Sequence, residues 1–280
     1  MLYIVGTPIG NLGDFSPRAR EILETVDVIA CEDTRRTGLL LSTFSIHNTL
    51  VSYHSHNRAK REAELLHLLR DGKNVAIVTD AGMPCISDPG EELINICRGE
   101  GLDVSVIPGP SAVTTALSTS GFNGRRFFFE GFLPSSGGER KSRLEALAKL
   151  DCTFLLFEAP HRLLRTLSDL KVRGFGDRRI AFCREMTKKF EEVLIYTVDE
   201  AISAFQEKTP KGEFVLVVEV GEPVTSAEKK PEVSDREERI RRLIREGLPV
   251  KEIAQILSAE WRVSKKEVYR SVLDAREQVE

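Results

Sequence analysis

Three loops in the first half of the chain combine glycine and proline in a way that suits a bound small molecule. Residues 6–13 (GTPIGNLG), 79–84 (TDAGMP) and 108–112 (PGPSA) each lie between an apolar run and a helical pattern. Glycine lets the backbone approach a ligand closely, and proline holds the loop shape. The pattern favours a nucleotide-like ligand held by backbone groups and Asp80. Ordinary strand-to-helix turns remain the alternative.

Two common phosphate-binding motifs are missing from these loops. The sequence contains neither G-x-G-x-x-G nor G-x-x-x-x-G-K-[ST]. Dinucleotide and triphosphate sites of the usual kinds are therefore disfavoured.

Charged residues cluster directly after three other apolar runs, at positions 32–36, 158–162 and 184–189. Carboxylates in such places can serve as general bases, and arginine or lysine can contact phosphates. Solvated surface charge is the alternative. For the first cluster, it would be a helix start capped by Asp33 or Thr34.

A pair of histidines, His54 and His56, follows a further apolar run. Their spacing could suit a metal, but no third ligand lies at a matching distance in the sequence. We predict no metal site. The histidines and Asn57 are interpreted as polar groups near a substrate, or as a plain loop.

Short apolar runs alternate with amphipathic segments, which predicts strands that position these loops. Helix starts are indicated by Ser16-Pro17 and Asp88-Pro89, and a helix is predicted over 58–70. Residues 135–140 are expected to form a polar loop. The predicted strands are 2–5, 26–30, 75–78 and 104–107, then 127–132, 153–157, 180–183, 193–196 and 214–218.

The chain is predicted to be an α/β protein of two α/β domains with a small all-α tail. The first domain spans 1–121 and contains βαβ units with a largely parallel sheet, and the second spans 122–222 with a mixed sheet. Residues 223–234 form a linker, and 235–280 form three helices that resemble a helix-turn-helix unit. From Arg236 to Arg270 there are ten Lys or Arg and six Glu, so that stretch is mildly basic.

Composition and charge exclude several classes of protein. No apolar run approaches the roughly 20 residues needed to span a bilayer, and the first residues predict a strand rather than a leader. The five cysteines are scattered without C-x-x-C spacing, which argues against a disulfide framework and favours the cytoplasm. The formal net charge is -3, so any nucleic-acid contact would need a local basic surface.

Nine strings follow one another along the chain in a fixed order. They are LYIVGTPIGNLGD, ACEDTRRTGLLL, SYHSHN, VTDAGMPCISDPG, VIPGPSA, FFFEGFLP, FEAPHRL, CREMTKKFEE and KGEFVLVVE. Together they resemble the tetrapyrrole methylase superfamily of S-adenosylmethionine-dependent, class III methyltransferases. Within it, the chain is most similar to the branch that methylates a cytidine 2'-hydroxyl in 16S rRNA. Where tetrapyrrole-modifying members have Gly-Asp-Pro in the second loop, this chain has Thr79-Asp80-Ala81-Gly82.

The resemblance implies a homodimer that binds S-adenosyl-L-methionine in a cleft between the two domains. By motif position, twelve residues would contact this cofactor. They are Pro8, Ile9, Asp80, Gly82, Met83, Ser111, Ala112, Phe157, Cys183, Arg184, Glu213 and Phe214.

The implied reaction is methylation of a ribose hydroxyl in 16S rRNA of the small ribosomal subunit. Because a 2'-hydroxyl is a weak nucleophile, a general base is expected, and the candidates are Glu32, Asp33, Asp80 and His161. We expect one of the Glu32/Asp33 pair to lie nearest the hydroxyl. The expected rRNA contacts are Arg35, Arg36, His54, His56, Asn57, Arg162, Arg184, Lys188 and Lys189.

Two alternatives differ from this interpretation in their acceptor or their class. A methyltransferase of the same fold could act on a tetrapyrrole or a protein side chain, although a small substrate needs no helical docking module. A non-catalytic nucleic-acid-binding protein would instead use the tail as its working part, and the tail alone would then bind as well as the whole chain.

Overall fold

The computed structural model describes residues 1–207, 211–220, 239–244, 248–260 and 265–277. The chain forms two compact units, Met1–Glu222 and Pro223–Glu280. The first unit carries both predicted sheets and the second carries the helical tail. Among the described residues, no helix is sufficiently long and apolar to cross a membrane.

The first sheet has five parallel strands in the order β3-β2-β4-β1-β5. The predicted strands β1, β4 and β5 are confirmed, whereas β2 begins two residues later than expected. The third strand is the apolar run that precedes His54. The bounds are β1 Leu2–Val5, β2 Val28–Cys31, β3 Leu50–Ser52, β4 Val75–Val78 and β5 Val104–Ile107.

Four helices cover the two faces of this sheet. Helices α1 Pro17–Thr25 and α2 Thr34–Thr43 pack on one face, together with the buried Phe15 that precedes α1. Helices α3 Arg58–Arg70 and α4 Glu91–Gly99 pack on the other face. The Ser16 hydroxyl caps α1 by accepting the Ala19 amide at 3.1 Å, as predicted. The predicted helix over 58–70 is also confirmed.

The expected helix start at Asp88-Pro89 is wrong. Helix α4 begins at Glu91, directly after Gly90. Gly90 has a φ of +141°, a backbone conformation that glycine adopts readily. The Asp88 carboxylate instead accepts the Thr79 hydroxyl at 2.8 Å. This bond ties the loop after β4 back to the strand end.

The second sheet has the order β6-β7-β10-β8-β9, with β6 parallel to β7 and the other pairs antiparallel. The predicted mixed sheet is therefore confirmed. Helix α5, Ala112–Ser120, packs on one face of this sheet, and α6 Gly137–Leu147, α7 Leu163–Leu170 and α8 Val198–Glu207 cover the other. The strands are β6 Phe127–Phe132, β7 Thr153–Glu158, β8 Arg179–Arg184, β9 Glu192–Thr197 and β10 Phe214–Val218.

The expected polar loop at 135–140 is wrong because α6 already begins at Gly137. Arg140 lies within this helix with only 3% of its surface exposed. Its guanidinium donates to Asp169 at 2.9 Å, to the Pro134 carbonyl at 2.9 Å and to Thr166 at 2.8 Å. Because each of the three guanidinium nitrogens has a partner, the charge of Arg140 is compensated inside the protein.

The second unit is helical at residues 239–244, Val250–Glu260 and Lys265–Glu277. Its core contains Leu243, Ile253, Leu257 and Val268, whereas Ile256 and Leu273 are 37% and 40% exposed. The predicted linker 223–234 lies outside the described residues. The helix-turn-helix arrangement stays a prediction.

Candidate active site

A cavity of about 480 Å³ opens between the carboxyl edge of the first sheet and the loops of the second. Its volume is in the range of pockets that hold cofactor-sized molecules. The cavity combines an apolar wall with several carboxylates. The lining residues are Ile9, Glu32, Arg36, Thr79, Asp80, Ala81, Ser87, Asp88, Ala112, Phe132, Phe157, Glu158, Ala159, Pro160, Glu185, Met186, Lys188, Glu213, Phe214 and Val215.

The three glycine- and proline-containing loops converge on one side of this cavity. Thr7 and Gly82 exchange backbone hydrogen bonds of 2.9 and 3.1 Å, which join the first loop to the second. Gly82 has a φ of +90°, and a Cβ there would meet Ile9 at 3.3 Å and the Pro110 carbonyl at 3.5 Å. The three loops therefore pack closely against one another around Gly82.

The expected cofactor residues of these loops are brought together to different degrees. Ile9, Asp80 and Ala112 line the cavity directly. Pro8, Gly82, Met83 and Ser111 belong to the same loops but are not among the lining residues. Ser111 directly precedes α5, whose first residue is Ala112.

The Asp80 carboxylate links the second loop to the charged cluster after β2. It accepts the backbone amide of Asp33 at 3.2 Å and the guanidinium of Arg36 at 3.0 Å. Arg36 and Glu32 also line the cavity. This arrangement brings three sequence-predicted residues to one edge of the site.

Glu32 and Asp33 have opposite electrostatic environments. Hydrogen bonds from the Arg35 side chain and amide hold the pKa of Asp33 well below its usual range. Partial burial, followed by the charges of Asp88 and Asp80, raises the pKa of Glu32. Of the two, only Glu32 lines the cavity.

Asp33 acts locally as the N-cap of α2, as the alternative interpretation held. Its carboxylate accepts the Arg35 amide at 2.8 Å and pairs with the Arg35 guanidinium at 2.8 Å. A carboxylate engaged in this way has little capacity to accept a further proton.

The second sheet contributes an aromatic and polar wall. Phe157, Glu213 and Phe214 line the cavity as expected. Cys183 does not, because it is fully buried and its thiol lies 3.7 Å from the Ala116 carbonyl. Arg184 is not a lining residue either, since its guanidinium pairs with Glu192 at 2.9 Å.

Lys188 lies in the cavity wall between two carboxylates. Its ammonium is 3.3 Å from Glu185 and 2.9 Å from Glu213. The neighbouring Lys189 is exposed and lies 5.6 Å from the centre of the Phe190 ring. The basic residues after β8 are thus close to the site.

The segment after β7 is held by a buried carboxylate that sequence reasoning missed. The Glu158 carboxylate accepts the Thr166 hydroxyl and the Ala159 amide, and it pairs with Arg162 at 3.4 Å. Arg162 also donates to the Leu133 and Pro134 carbonyls, so its charge is used internally. His161 is exposed beside this segment and does not line the cavity.

The histidine-containing loop lies apart from the lining residues. Asn57 stabilises the loop by accepting the His54 amide at 3.0 Å and donating to Ser52 at 3.0 Å. The His54 and His56 rings are 5.9 Å apart. Within the described part of the chain, no cluster of three or more His, Cys, Asp or Glu could hold a metal ion.

Among the lining residues that the sequence analysis did not predict, three had sequence patterns that we interpreted in another way. Asp88 preceded a proline and was interpreted as a helix cap, yet burial raises the pKa of this cavity carboxylate. Phe132 ends a run of phenylalanines that predicts only a strand. Glu158 belongs to the charged cluster at 158–162, in which the arginine and the histidine were the predicted candidates instead.

The residues present fit a molecule that combines an aromatic base, a ribose and a positive charge. Ile9, Ala112 and Phe157 offer apolar surface, while Glu32, Asp80 and Asp88 offer acceptors for hydroxyls and cations.

Comparison with known proteins gives a family from the sequence and a shared fold from the structure. Residues 1–202 match the family model of the tetrapyrrole (corrin/porphyrin) methylases. Proteins called ribosomal RNA small subunit methyltransferase I are similar over most of the chain. The one from Synechocystis sp. is 45% identical over 276 residues, covering 98% of each chain.

Two further relatives with this name differ in how much of the chain they cover. The protein of Haemophilus influenzae is 41% identical over 270 residues, which cover 96% of this chain and 95% of that one. The protein of Thermotoga maritima is 50% identical over 205 residues, which cover 73% of this chain and 91% of that one. The Thermotoga relative is therefore the shorter protein.

Solved structures share the fold at low sequence identity. Uroporphyrin-III C-methyltransferase from Thermus thermophilus, solved with S-adenosyl homocysteine, has a TM-score of 0.56 at 18% identity and covers 78% of this chain and 97% of that one. Diphthine synthase has a TM-score of 0.61 at 15% identity, with 78% and 88% covered. At these identities, the likeness concerns the fold alone.

Proposed function

The chain belongs to the tetrapyrrole methylase family, and from that premise we propose that it is a methyltransferase of small-subunit ribosomal RNA that uses S-adenosyl-L-methionine. The finer proposal is methylation of the 2'-hydroxyl of a cytidine in the decoding region of 16S rRNA. The observation that carries the rRNA assignment is the 45% identity to a small-subunit rRNA methyltransferase over 98% of both chains.

We propose that the cofactor is held by the three loops of the first sheet and by the aromatic wall of the second. The loops contribute Pro8, Ile9, Asp80, Gly82, Met83, Ser111 and Ala112. The wall contributes Phe157, Glu213 and Phe214. Two contacts of the second loop support this assignment. Gly82 is hydrogen-bonded to the first loop, and the Asp80 carboxylate accepts the amide of Asp33 at the N-terminus of α2.

Glu32 is our candidate for the group that accepts the proton of the ribose hydroxyl. When bound, S-adenosyl-L-methionine supplies an electrophilic methyl group on a positively charged sulfur. Holding the hydroxyl in line with that methyl reduces the barrier, and proton removal makes the oxygen a better nucleophile. Glu32 faces the cavity with a raised pKa, and a more basic carboxylate is a better proton acceptor.

The proposed rRNA contacts are the basic residues around the cavity mouth. Arg35 and Lys189 are exposed, and Arg36 and Lys188 lie at the cavity wall. Such side chains suit backbone phosphates, which position a nucleic acid without reading its sequence. We propose in addition that the protein is a cytoplasmic homodimer whose C-terminal unit docks RNA.

The experiment that tests the function offers one labelled donor to several acceptors. The purified protein is incubated with S-adenosyl-L-methionine labelled on the methyl group and with small subunits that lack the modification, free 16S rRNA, a uroporphyrinogen or ribosomal proteins. Label in the rRNA of the subunits is the expected result. Label only in the tetrapyrrole or in protein would overturn the rRNA assignment.

A further inference from the structure

Phe132 is the most exposed of the aromatic side chains that line the cavity. It is the last residue of β6, and 57% of its surface is accessible. Single exposed apolar residues are common on protein surfaces and mean little alone. The position of this one, however, depends on an irregularity in the strand.

A β-bulge in β6 turns Phe132 towards the cavity. Phe129 pairs with Leu155, but the next pair is Gly131 with Leu156, so Glu130 has no partner residue on β7. The following pair is Phe132 with Phe157. In regular alternation, Phe129 and Phe132 would lie on opposite faces, whereas the bulge puts them on the same face.

The extra residue of the bulge has its own stabilising contacts. Glu130 is buried and pairs with Arg143 at 2.5 Å. Gly131 adopts a φ of +75°, which glycine accepts without strain. Directly after Phe132, the Leu133 and Pro134 carbonyls accept hydrogen bonds from Arg162 and from the buried Arg140. The residues on both sides of Phe132 are therefore anchored to neighbouring elements.

Three phenylalanines form a row along this face. The ring centre of Phe157 lies 4.9 Å from that of Phe129 and 5.3 Å from that of Phe132. Phe157 covers the inner side of Phe132, while the rest of the Phe132 ring stays exposed at the cavity mouth. A rigid aromatic ring with a free surface beside a reaction site is a platform on which a flat ligand can stack.

We propose that Phe132 stacks against the base of the nucleotide that is methylated. This inference rests on the proposed function, because it assumes an RNA acceptor. Proteins that act on single nucleotides read unstacked bases by placing them on aromatic side chains. The cavity wall deeper inside provides Phe157 and Phe214 for the donor, so the exposed ring is left for a molecule that arrives from solvent.

The test separates the contribution of an aromatic ring from that of apolar bulk. We would compare Phe132→Ala, Phe132→Leu and Phe132→Trp for kcat/KM with small subunits and for equilibrium affinity towards S-adenosyl-L-methionine. Phe128→Ala is the matched control, since Phe128 lies on the same strand, is 41% exposed and does not line the cavity. Thermal unfolding of each variant checks that the strand is intact.

The expected result is a loss of about ten- to a hundredfold in kcat/KM for both Phe132→Ala and Phe132→Leu. The affinity for S-adenosyl-L-methionine should stay within about twofold of wild type in every variant. The kcat/KM of Phe132→Trp and of Phe128→Ala should stay near the wild-type value, because both proteins keep an aromatic ring at position 132. A parallel loss of donor affinity would assign the ring to the donor and overturn the proposal. Wild-type activity in Phe132→Leu would overturn it too.

Failure of the proposed function would look different from failure of this inference. If the unaltered protein labels no rRNA, the function itself is wrong, and the inference falls with it. If the unaltered protein labels rRNA and all Phe132 variants do so equally, only the stacking role is wrong.

Discussion

Glu32 and Asp33 are adjacent in the chain, yet their carboxylates have different environments. Asp33 is occupied by Arg35 at the start of α2, whereas Glu32 receives no hydrogen bond from the described residues and faces Asp80 and Asp88. The sequence predicted that one acid of this pair serves the reaction. It could not tell which, because the partial burial of Glu32 and its closeness to Asp88 and Asp80 arise only from the fold.

Glu32→Gln should reduce kcat by about 10²- to 10⁴-fold, because the glutamine cannot accept a proton. Donor affinity should remain, since the side chain keeps its size and polarity. Steady-state kinetics and equilibrium donor binding measure the two effects. Asp33→Asn is the matched control, and it should retain near-normal turnover because asparagine also caps helices. Equal losses in both variants would contradict the assignment.

The pH profile gives the same residue a second test. A protonated Glu32 cannot act as a base, so kcat should fall as pH decreases through its pKa. Because that pKa is raised, the fall should occur above the ordinary glutamate value of about 4.3. Glu32→Gln should lack this limb, and a profile unchanged by the substitution would argue for another base.

Lys189 and Arg162 were both expected to contact phosphate. Lys189 is exposed, whereas the Arg162 guanidinium is bonded to Glu158 and to two backbone carbonyls. Lys189→Ala should reduce the slope of log affinity for rRNA against log salt by about one. Arg162→Ala should leave the slope unchanged and lower the unfolding temperature, because Glu158 loses its cationic partner. Filter binding over a salt series distinguishes them, and a slope change in Arg162→Ala alone would reverse the assignment.

At the scale of elements, the strands and the loop order could be predicted because periodicity and turn residues are local signals. Strands β1, β4, β5, β6 and β10 have the expected bounds. The loop expected at 135–140 was wrong because Arg140 reads as polar surface until its partners Asp169 and Thr166 are known. The bulge in β6 had one signal, a glycine inside a strand, which marks bulges.

The contact between the first and third loops depends on two glycines facing each other. A Cβ at Gly109 would lie 2.8 Å from the Gly6 Cα and 2.9 Å from its carbonyl carbon, and both are backbone atoms. Gly109→Ala should therefore destabilise the protein by about 1–3 kcal/mol and weaken donor binding, because the loops must separate.

Gly99→Ala is the control for this prediction. Gly99 ends α4 with nothing within 4 Å of an added Cβ, so alanine should be neutral or stabilising by up to about 1 kcal/mol. Chemical unfolding and donor titration measure both variants. Full donor affinity in Gly109→Ala would show that the loop junction does not shape the site.

At the scale of the whole molecule, the chain separates into a unit that carries the cavity and a helical unit. The similar protein of Thermotoga maritima is matched over 91% of its length by 73% of this chain, so it is considerably shorter. This favours a cofactor site that is complete within Met1–Glu222. The second unit, which contains the mildly basic stretch from Arg236 to Arg270, is the part that we propose docks RNA.

Truncation after Glu222 should leave donor affinity unchanged and weaken binding to small subunits. Isothermal titration with the donor and filter binding with subunits measure the two effects. Loss of donor binding would mean that the tail supports the cavity. Unchanged subunit binding would remove the docking role, and full RNA affinity in the isolated tail would favour a non-catalytic binding protein.

The most direct test of the proposed reaction is to determine the chemical position of the transferred methyl group. Small subunits labelled by the protein are hydrolysed with alkali, which cleaves RNA only where a free 2'-hydroxyl is present, and the resistant dinucleotides are identified by mass. For the proposed reaction, we expect labelled, alkali-resistant dinucleotides that begin with cytidine and derive from the decoding region. Label on a base, on another nucleotide or on protein would contradict it.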